Sequence, residues 1–260
     1  MDSLPSKREL EELYWDKGLS LPELAKIYGV SVKTVWRWMK KHGIPRRERD
    51  KAKFDKYWKN ERPVDLSKRG ELAYILGVMY GDGSLVFNPK SYGYILKLAV
   101  AESGKEFAIK FAYTLQELGI HPYVWVSKRT PTKHEQNVIE VRGMNKRLFM
   151  FIKRMDLTTL RDVIRGYEDR FICGFYESEG HYYRNKKYGF ERLSMSNTDY
   201  KLITFVKRLL EEMGFHPKLQ EVVDQDKYTF GKIYRLNLYR KGEIERFFKI
   251  IQPIIKNRER

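Results

Sequence analysis

The sequence predicts an α+β protein in which two pseudo-symmetric αββαββα halves form a saddle, preceded by a small all-α domain. Three observations predict it. An apolar helix that runs into an acid and a glycine, Leu72 to Leu85, returns as Phe171 to Gly180, with the terminal acids 179 − 82 = 97 positions apart. A second echo, Gly119-Ile120-His121-Pro122 and Gly214-Phe215-His216-Pro217, is spaced by 216 − 121 = 95. Behind each apolar helix the pattern passes from alternation to helical period, to alternation, to helical period again.

The elements follow in order. Residues 1–45 read as the N-terminal domain. Its helices are expected over 6–16, from the Ser20 cap with Pro22 in the first turn to Gly29, and over 32–41. Residues 46–69, charged and broken by Pro63, read as a basic linker with one helix near 54–59. The first half, 70–156, continues with a hairpin of 84–87 and 94–101, a helix over 106–118, strands over 124–128 and 138–142, and a helix over 146–155. The second half, 157–260, repeats this with strands over 179–184 and 191–196, a helix over 199–213, strands over 218–223 and 233–239, and a helix over 243–255. His121 and His216 each precede proline at a helix-to-strand turn, which favours a structural role over ligation.

Charge narrows the class of partner. The chain of 260 residues carries 51 Lys+Arg against 34 Asp+Glu, a net charge of +17, which suits a polyanion. No apolar run reaches membrane-spanning length and no signal-peptide layout is present, so a cytoplasmic, nucleoid-associated and prokaryotic protein with no membrane partner is expected. The single cysteine, Cys173, lies inside the second apolar helix and reads as a packing residue.

Small residues stand four apart in both copies, Gly77 with Gly81 and Gly174 with Ser178, on a stripe where two helix backbones can approach closely. Two helices packed on those stripes would deliver Asp82 and Glu179 to one end of their interface. Each acid alone is an ordinary helix stop before glycine. Together they repel each other and the negative helix ends, so a hard divalent cation is expected between them, Mg²⁺ with Mn²⁺ as substitute, able to organise phosphodiester hydrolysis.

These segments, Ile75-Leu76-Gly77-Val78-Met79-Tyr80-Gly81-Asp82-Gly83 and Ile172-Cys173-Gly174-Phe175-Tyr176-Glu177-Ser178-Glu179-Gly180, resemble the LAGLIDADG motifs of homing endonucleases. The resemblance covers about residues 70 to 256. It implies a monomer with Asp82 and Glu179 as metal ligands, strands of both halves in the major groove of a long asymmetric target, and cleavage leaving short 3′ overhangs. Residues 6–43 resemble the helix-turn-helix of recombinases and of some homing endonucleases, which makes Lys33, Thr34 and Arg37 candidate DNA contacts and Arg46 and Arg47 a basic arm.

Strand alternation turns Leu96, Leu98, Val100, Leu236 and Leu238 inward and leaves Lys97, Ala99, Ala101, Arg192, Ser194, Ser196, Arg235, Asn237 and Tyr239 outward. Arg129, Arg142, Arg192, Arg235 and Asn237 are the expected base or phosphate contacts. Relatives commonly place lysine or glutamine near the metals at the end of a half's second strand. This chain has Ala101-Glu102 and Ser196-Asn197 there, so Lys97 and Arg184 are the candidate catalytic substitutes. The leading expectation is a site-specific double-strand DNA endonuclease engaged in intron homing. The alternatives are a cleavage-deficient DNA-binding transcription regulator of the same ancestry and an RNA maturase that binds its host intron RNA. The ends lack the nucleophile and His-Asn pair of an intein, so a freestanding or intron-encoded protein is expected.

Overall fold

Side-chain caps and apolar spacing set the N-terminal helices. The computed structural model describes residues 5–46, 63–89, 91, 93–127, 137–185, 187–224 and 231–256. Helix α1 (Lys7–Glu11) opens where Ser6 Oγ accepts the Glu9 amide at 3.2 Å, then widens into a π turn over Glu12–Asp16. One α-helix was the expectation across this stretch, but the Lys17 amide reaches the Glu12 carbonyl at 2.9 Å. Ser20 and Glu23 form a reciprocal capping box that starts α2 (Leu21–Ile27). Gly29, at φ 64°, turns the chain to Ser31, which caps α3 (Val32–Lys41). Leu10, Leu24, Val35 and Met39 are fully buried in a core belonging to this unit. The expected helix near 54–59 lies outside the described residues.

The described residues fall into two compact units, and the second holds both halves. Its first half runs α4 (Arg69–Tyr80), β1 (Ser84–Asn88), β2 (Gly93–Ala101), α5 (Lys105–Glu117), β3 (Pro122–Ser127), β4 (Val138–Met144), α6 (Lys146–Arg154) and α7 (Leu157–Ile164). The second half runs α8 (Glu168–Glu179), β5 (Gly180–Asn185), β6 (Phe190–Asn197), α9 (Tyr200–Glu212), β7 (Lys218–Asp224), β8 (Gly231–Leu238) and α10 (Lys241–Ile251). Both sheets are four-stranded and antiparallel with one order, β1-β2-β4-β3 and β5-β6-β8-β7.

The second echo has a backbone cause. Gly119 and Gly214 stand at φ 80° and 81° just past α5 and α9, and the next amides, Ile120 and Phe215, bond back to the Leu115 and Leu210 carbonyls at 2.9 Å each. The histidines that follow are turned to local partners: His121 sits edge-on to Tyr123, and His216 Nδ1 meets Glu243 at 2.6 Å.

Two elements differ from expectation. Helix α7 was not foreseen; Asp156 caps it through the Thr159 amide at 2.7 Å, and it buries Leu160 and Ile164. Helix α10 stops at Ile251, because Gln252 turns left-handed at φ 51° and Pro253 has no amide hydrogen to continue the ladder. The chain then folds back over α8.

The core is organised by contact between α4 and α8. A methyl on Gly77 would stand 2.1 Å from the Phe171 carbonyl oxygen, and one on Gly174 would stand 2.3 Å from that of Tyr74. Each helix therefore lies backbone against backbone on the other, and only glycine permits it. The flanking side chains Ile75, Leu76, Phe171 and Ile172 are fully buried in one hydrophobic cluster with both sheets and the outer helices.

A carboxylate lies beside this helix contact. Glu177, 1% exposed, accepts from Tyr74 Oη at 2.7 Å, Lys110 Nζ at 2.9 Å and the Ile254 amide at 2.7 Å. Those donors come from α4, α5 and the segment after α10, so a single carboxylate ties the two halves and the C-terminal segment together. Its donors satisfy a charge that would otherwise be costly to bury.

Gly77→Ala and Gly174→Ala should each destabilise the protein by about 1 to 3 kcal/mol or more, since a methyl in a packed interface forces the backbones apart. Gly242→Ala, where the same methyl meets open space, should leave the chemical denaturation midpoint unchanged or slightly raised. Equal midpoints for all three variants would contradict the interface.

Candidate functional site

The stripes run in register along parallel helices. Gly77 meets Phe171 and Phe175, while Gly81 lies against Ser178, where a methyl would stand 2.4 Å from its Cβ and 3.2 Å from Glu179 Cγ. Asp82 follows Gly81 and Glu179 follows Ser178, so both carboxylates leave the same end of the helix pair. Burial first, then the Asp82 carboxylate, push the Glu179 carboxyl up to about 7, against the pull of Asn197 and Lys256. Two acids forced this close, at two helix C-termini, form a site that attracts a cation.

The strand ends complete the surround. Ser84 pairs with Lys97, and continuing that register brings Ala99 level with Asp82. Gly180 pairs with Met195, which brings Ser196 level with Glu179. Asn197 Nδ2 donates to Glu179 Oε1 at 3.0 Å and so fixes one oxygen of that acid. The C-terminal segment supplies what sequence reasoning missed. Lys256 Nζ donates to the Ser178 carbonyl at 2.5 Å, and the Lys256 carbonyl accepts from Tyr176 Oη at 2.8 Å. Burial draws the Lys256 ammonium below the usual lysine range, opposed by Asp82, Glu179 and Glu177 in turn. No periodic signal marks this lysine, because it lies beyond Pro253 and 77 positions (256 − 179) from the acid it approaches.

The two expected catalytic substitutes are placed differently from the acids. Arg184 is five positions along β5 from Glu179, roughly 16 Å at ~3.3 Å per residue, and it pairs with buried Glu191 at 3.4 Å. That places it along the strand from the two acids, on a carboxylate of its own. Lys97 lies on the ladder beside Asp82, but its ammonium meets Glu140 at 3.1 Å. The same carboxylate holds Arg142 at 2.5 Å, and the Arg142 guanidinium also lies 4.2 Å over the Trp125 ring.

On the second sheet Arg235 Nε donates to Ser196 Oγ at 3.1 Å. Asn237 was expected to stand outward as a DNA contact; it is 1% exposed and its amide donates to Gln220 Oε1 of the neighbouring strand β7 at 3.1 Å. Ser194, also expected outward, is buried at 3%. Arg192 Nε and Asn237 Oδ1 are buried without a hydrogen-bond partner. Arg129, with the strand end at Lys128, lies outside the described residues, as does Arg47.

In the N-terminal unit Lys33 and Arg37, four apart on α3, are exposed. Thr34 is partly covered and its hydroxyl lies 2.9 Å from that of Ser31, so it belongs to the helix cap. The Arg46 guanidinium folds back to stand 4.0 Å over the Trp36 ring.

Among the described residues no group of three or more His, Cys, Asp or Glu is assembled for a metal. Two carboxylates suit Mg²⁺ or Mn²⁺, which keep several water or substrate oxygens, better than an ion needing an all-protein cage. The donor set at Asp82 and Glu179 therefore fits such a cation. Among the described residues no helix is long and apolar enough to cross a membrane.

Comparison with known proteins places these features. A LAGLIDADG-like domain model matches residues 166–252, and a helix-turn-helix domain model matches residues 19–58. An uncharacterized protein of Methanocaldococcus jannaschii, MJ0398, is 28% identical over 251 residues, spanning 92% of this chain and 83% of the relative. A second from that organism, MJ0314, is 34% identical over 164 residues, 60% of this chain and 59% of the relative. The crystal structure of I-DmoI in complex with DNA and Mn is similar in fold, with a TM-score of 0.50 and 21% identity over 70% of this chain and 96% of that one. With its two sheets of one strand order and its capped N-terminal helices, the chain carries a helix-turn-helix domain followed by the LAGLIDADG fold, its second half matching the LAGLIDADG-like domain itself.

Proposed function

We propose that this chain is a site-specific double-strand DNA endonuclease. The observation that carries the reading is the convergence of Asp82 and Glu179 at one end of a glycine-to-backbone helix pair, an arrangement that is electrostatically unfavourable unless a cation is bound. The fold shared with I-DmoI, which was crystallised with DNA and Mn, supports it. In this reading the domains are 1–45, a linker over 46–69, and halves over 70–156 and 157–260, acting as a monomer on a long asymmetric duplex.

Asp82 and Glu179 would hold Mg²⁺ or Mn²⁺, which when bound supplies Lewis acidity and lowers the pKa of water at the scissile phosphate. Asn197 orients the Glu179 carboxylate. Arg142, Arg192 and Arg235 offer guanidinium groups from the two sheets for guanine or phosphate, and Lys33 and Arg37 offer charges from α3. Asn237 acts beneath that surface by holding Gln220.

A second reading, a DNA-binding regulator that does not cut, is favoured by one observation. Lys97 and Arg142 share Glu140, and Arg184 is held by Glu191, so these bases are already paired with acids.

Three experiments test the proposal. Asp82→Asn and Glu179→Gln should each abolish cleavage of a target-library plasmid in Mg²⁺ while DNA affinity stays similar or rises, because each change removes a ligand and a repulsion with phosphate together. Undiminished cutting by either variant would remove these acids from the chemistry. Below pH about 7, the value to which Glu179 is raised, its carboxyl holds a proton that a metal must displace. Calorimetric Mn²⁺ affinity of the protein alone should therefore climb with pH and level off above about 7; a flat profile from pH 5 to 8 would contradict Glu179 as a ligand. Deleting residues 1–45 should shorten the protected footprint and weaken binding without unfolding the rest, since that unit has its own core. An unchanged footprint at equal affinity would show that the unit does not touch DNA.

A further inference from the structure

We propose that Lys256 is a catalytic residue of this centre, resting on the nuclease reading, and that it serves one DNA strand more than the other. The placement is geometric. Its ammonium donates to the carbonyl of Ser178, the residue that abuts Gly81 and directly precedes Glu179. The chain is bent to bring it there. Gln252 and Lys256 both take left-handed backbone, at φ 51° and 56°, a conformation that costs about 1 kcal/mol or more for a residue with a side chain. Three contacts hold that bend: Ile254 N–H to Glu177, Tyr176 Oη to the Lys256 carbonyl, and Nζ to Ser178.

An ammonium has three donors. One is used by Ser178, the residue before Glu179, which leaves two on a side chain that stays partly exposed. In hydrolysis a water oxygen bonds to phosphorus as the P–O3′ bond breaks; the water's proton leaves to solvent, and the departing 3′ oxygen gains one from solvent. Lys256 stays protonated throughout. Its part is to donate a hydrogen bond to the phosphate oxygen on which charge gathers, fixed in place before the reaction.

The asymmetry follows from the other half. There the chain after α6 does not fold back over the helix pair: the Met155 carbonyl accepts from Tyr80 Oη at 3.3 Å, and the chain continues through Asp156, the cap of α7. One ammonium thus stands at a centre that must cut two strands.

The test compares the wild-type chain with Lys256→Gln, which can still donate to Ser178 without the charge, and Lys256→Arg, which keeps the charge. Cleavage is followed under single turnover in Mg²⁺ with each strand labelled, on a duplex that the wild type selects from a randomised library. Lys256→Gln should slow one strand on the order of a hundredfold and the other by less than about tenfold, so that nicked duplex accumulates, and Lys256→Arg should recover most of the loss. Affinity for the same duplex in Ca²⁺ and the melting temperature should stay close to wild type. Without DNA, Lys256→Gln should bind Mn²⁺ on the order of tenfold more tightly, because a positive charge beside the acids is gone.

Equal slowing of both strands together with a lowered melting temperature would make Lys256 a structural tether and overturn the proposal. Wild-type cutting rates in Lys256→Gln, or unchanged Mn²⁺ affinity, would also overturn it while leaving the nuclease reading intact. A wild-type chain that cuts nothing in Mg²⁺ or Mn²⁺ would instead sink the nuclease reading, and this inference with it.

Discussion

The close approach of α4 and α8 is the constraint on which the rest of the structure depends. Gly77 faces the Phe171 carbonyl, Gly174 faces that of Tyr74, and Gly81 faces Ser178, so position numbers rise together along the two helices. They run parallel, and their C-terminal ends coincide. Parallel helices add their end charges where antiparallel ones would cancel them. The same contact that closes the core therefore creates a negative focus at one edge, and Asp82 and Glu179 deepen it.

A focus of that kind opposes folding unless something offsets it. The large buried cluster around both helices supplies the favourable term, at roughly 25 cal/mol per Å² of apolar surface removed from water. The offset within the site is more specific. Glu177, two positions before Glu179 on the same helix, is saturated by donors from α4, α5 and the C-terminal segment. It thereby anchors the segment that carries Lys256 to the acids. A hydrophobic residue at 177 would remove a buried charge, but it would also release the Ile254 amide and the bend that follows, so the network is better understood as positioning than as stabilisation.

Much of this was legible in the sequence, and the legible parts are local. The glycine stripes, the capping residue Ser20, and the Gly-x-His-Pro echoes each depend on contacts within one helix or across one repeat, where spacing is informative. Helix α7 was missed because it is short, with apolar Leu157, Leu160 and Ile164 lying between two stronger signals. The end of α10 was overextended because apolar Ile254 and Ile255 keep helical spacing past Pro253, while the backbone obeys the proline. Lys256 and Glu177 were missed for a different reason: their roles come from partners 67 to 103 positions away, which no window of sequence displays. Alternation identified the outer faces of β2 and β8, but it could not tell that Asn237 would be buried with its amide on Gln220 of the neighbouring strand.

The halves share a strand order without sharing a chemistry, and that difference bears on what they could recognise. The first sheet presents an ionic set in which Glu140 divides its two oxygens between Lys97 and Arg142. The second also carries ion pairs, Arg184 with Glu191 and Lys232 with Glu221, but adds hydrogen bonds from Arg235 to Ser196 and from Asn237 to Gln220, with Arg192 Nε and Asn237 Oδ1 lacking partners. An acid-paired base exchanges one ionic partner for another when it meets phosphate, so its gain is small, whereas a guanidinium held by a neutral hydroxyl, as Arg235 is by Ser196, has a full charge to offer. On the proposed reading the first sheet would then contribute orientation with little net affinity, and the second would discriminate by hydrogen bonding. Two surfaces of such different chemistry would not read the same base pairs, and a palindromic duplex would leave one of them mismatched.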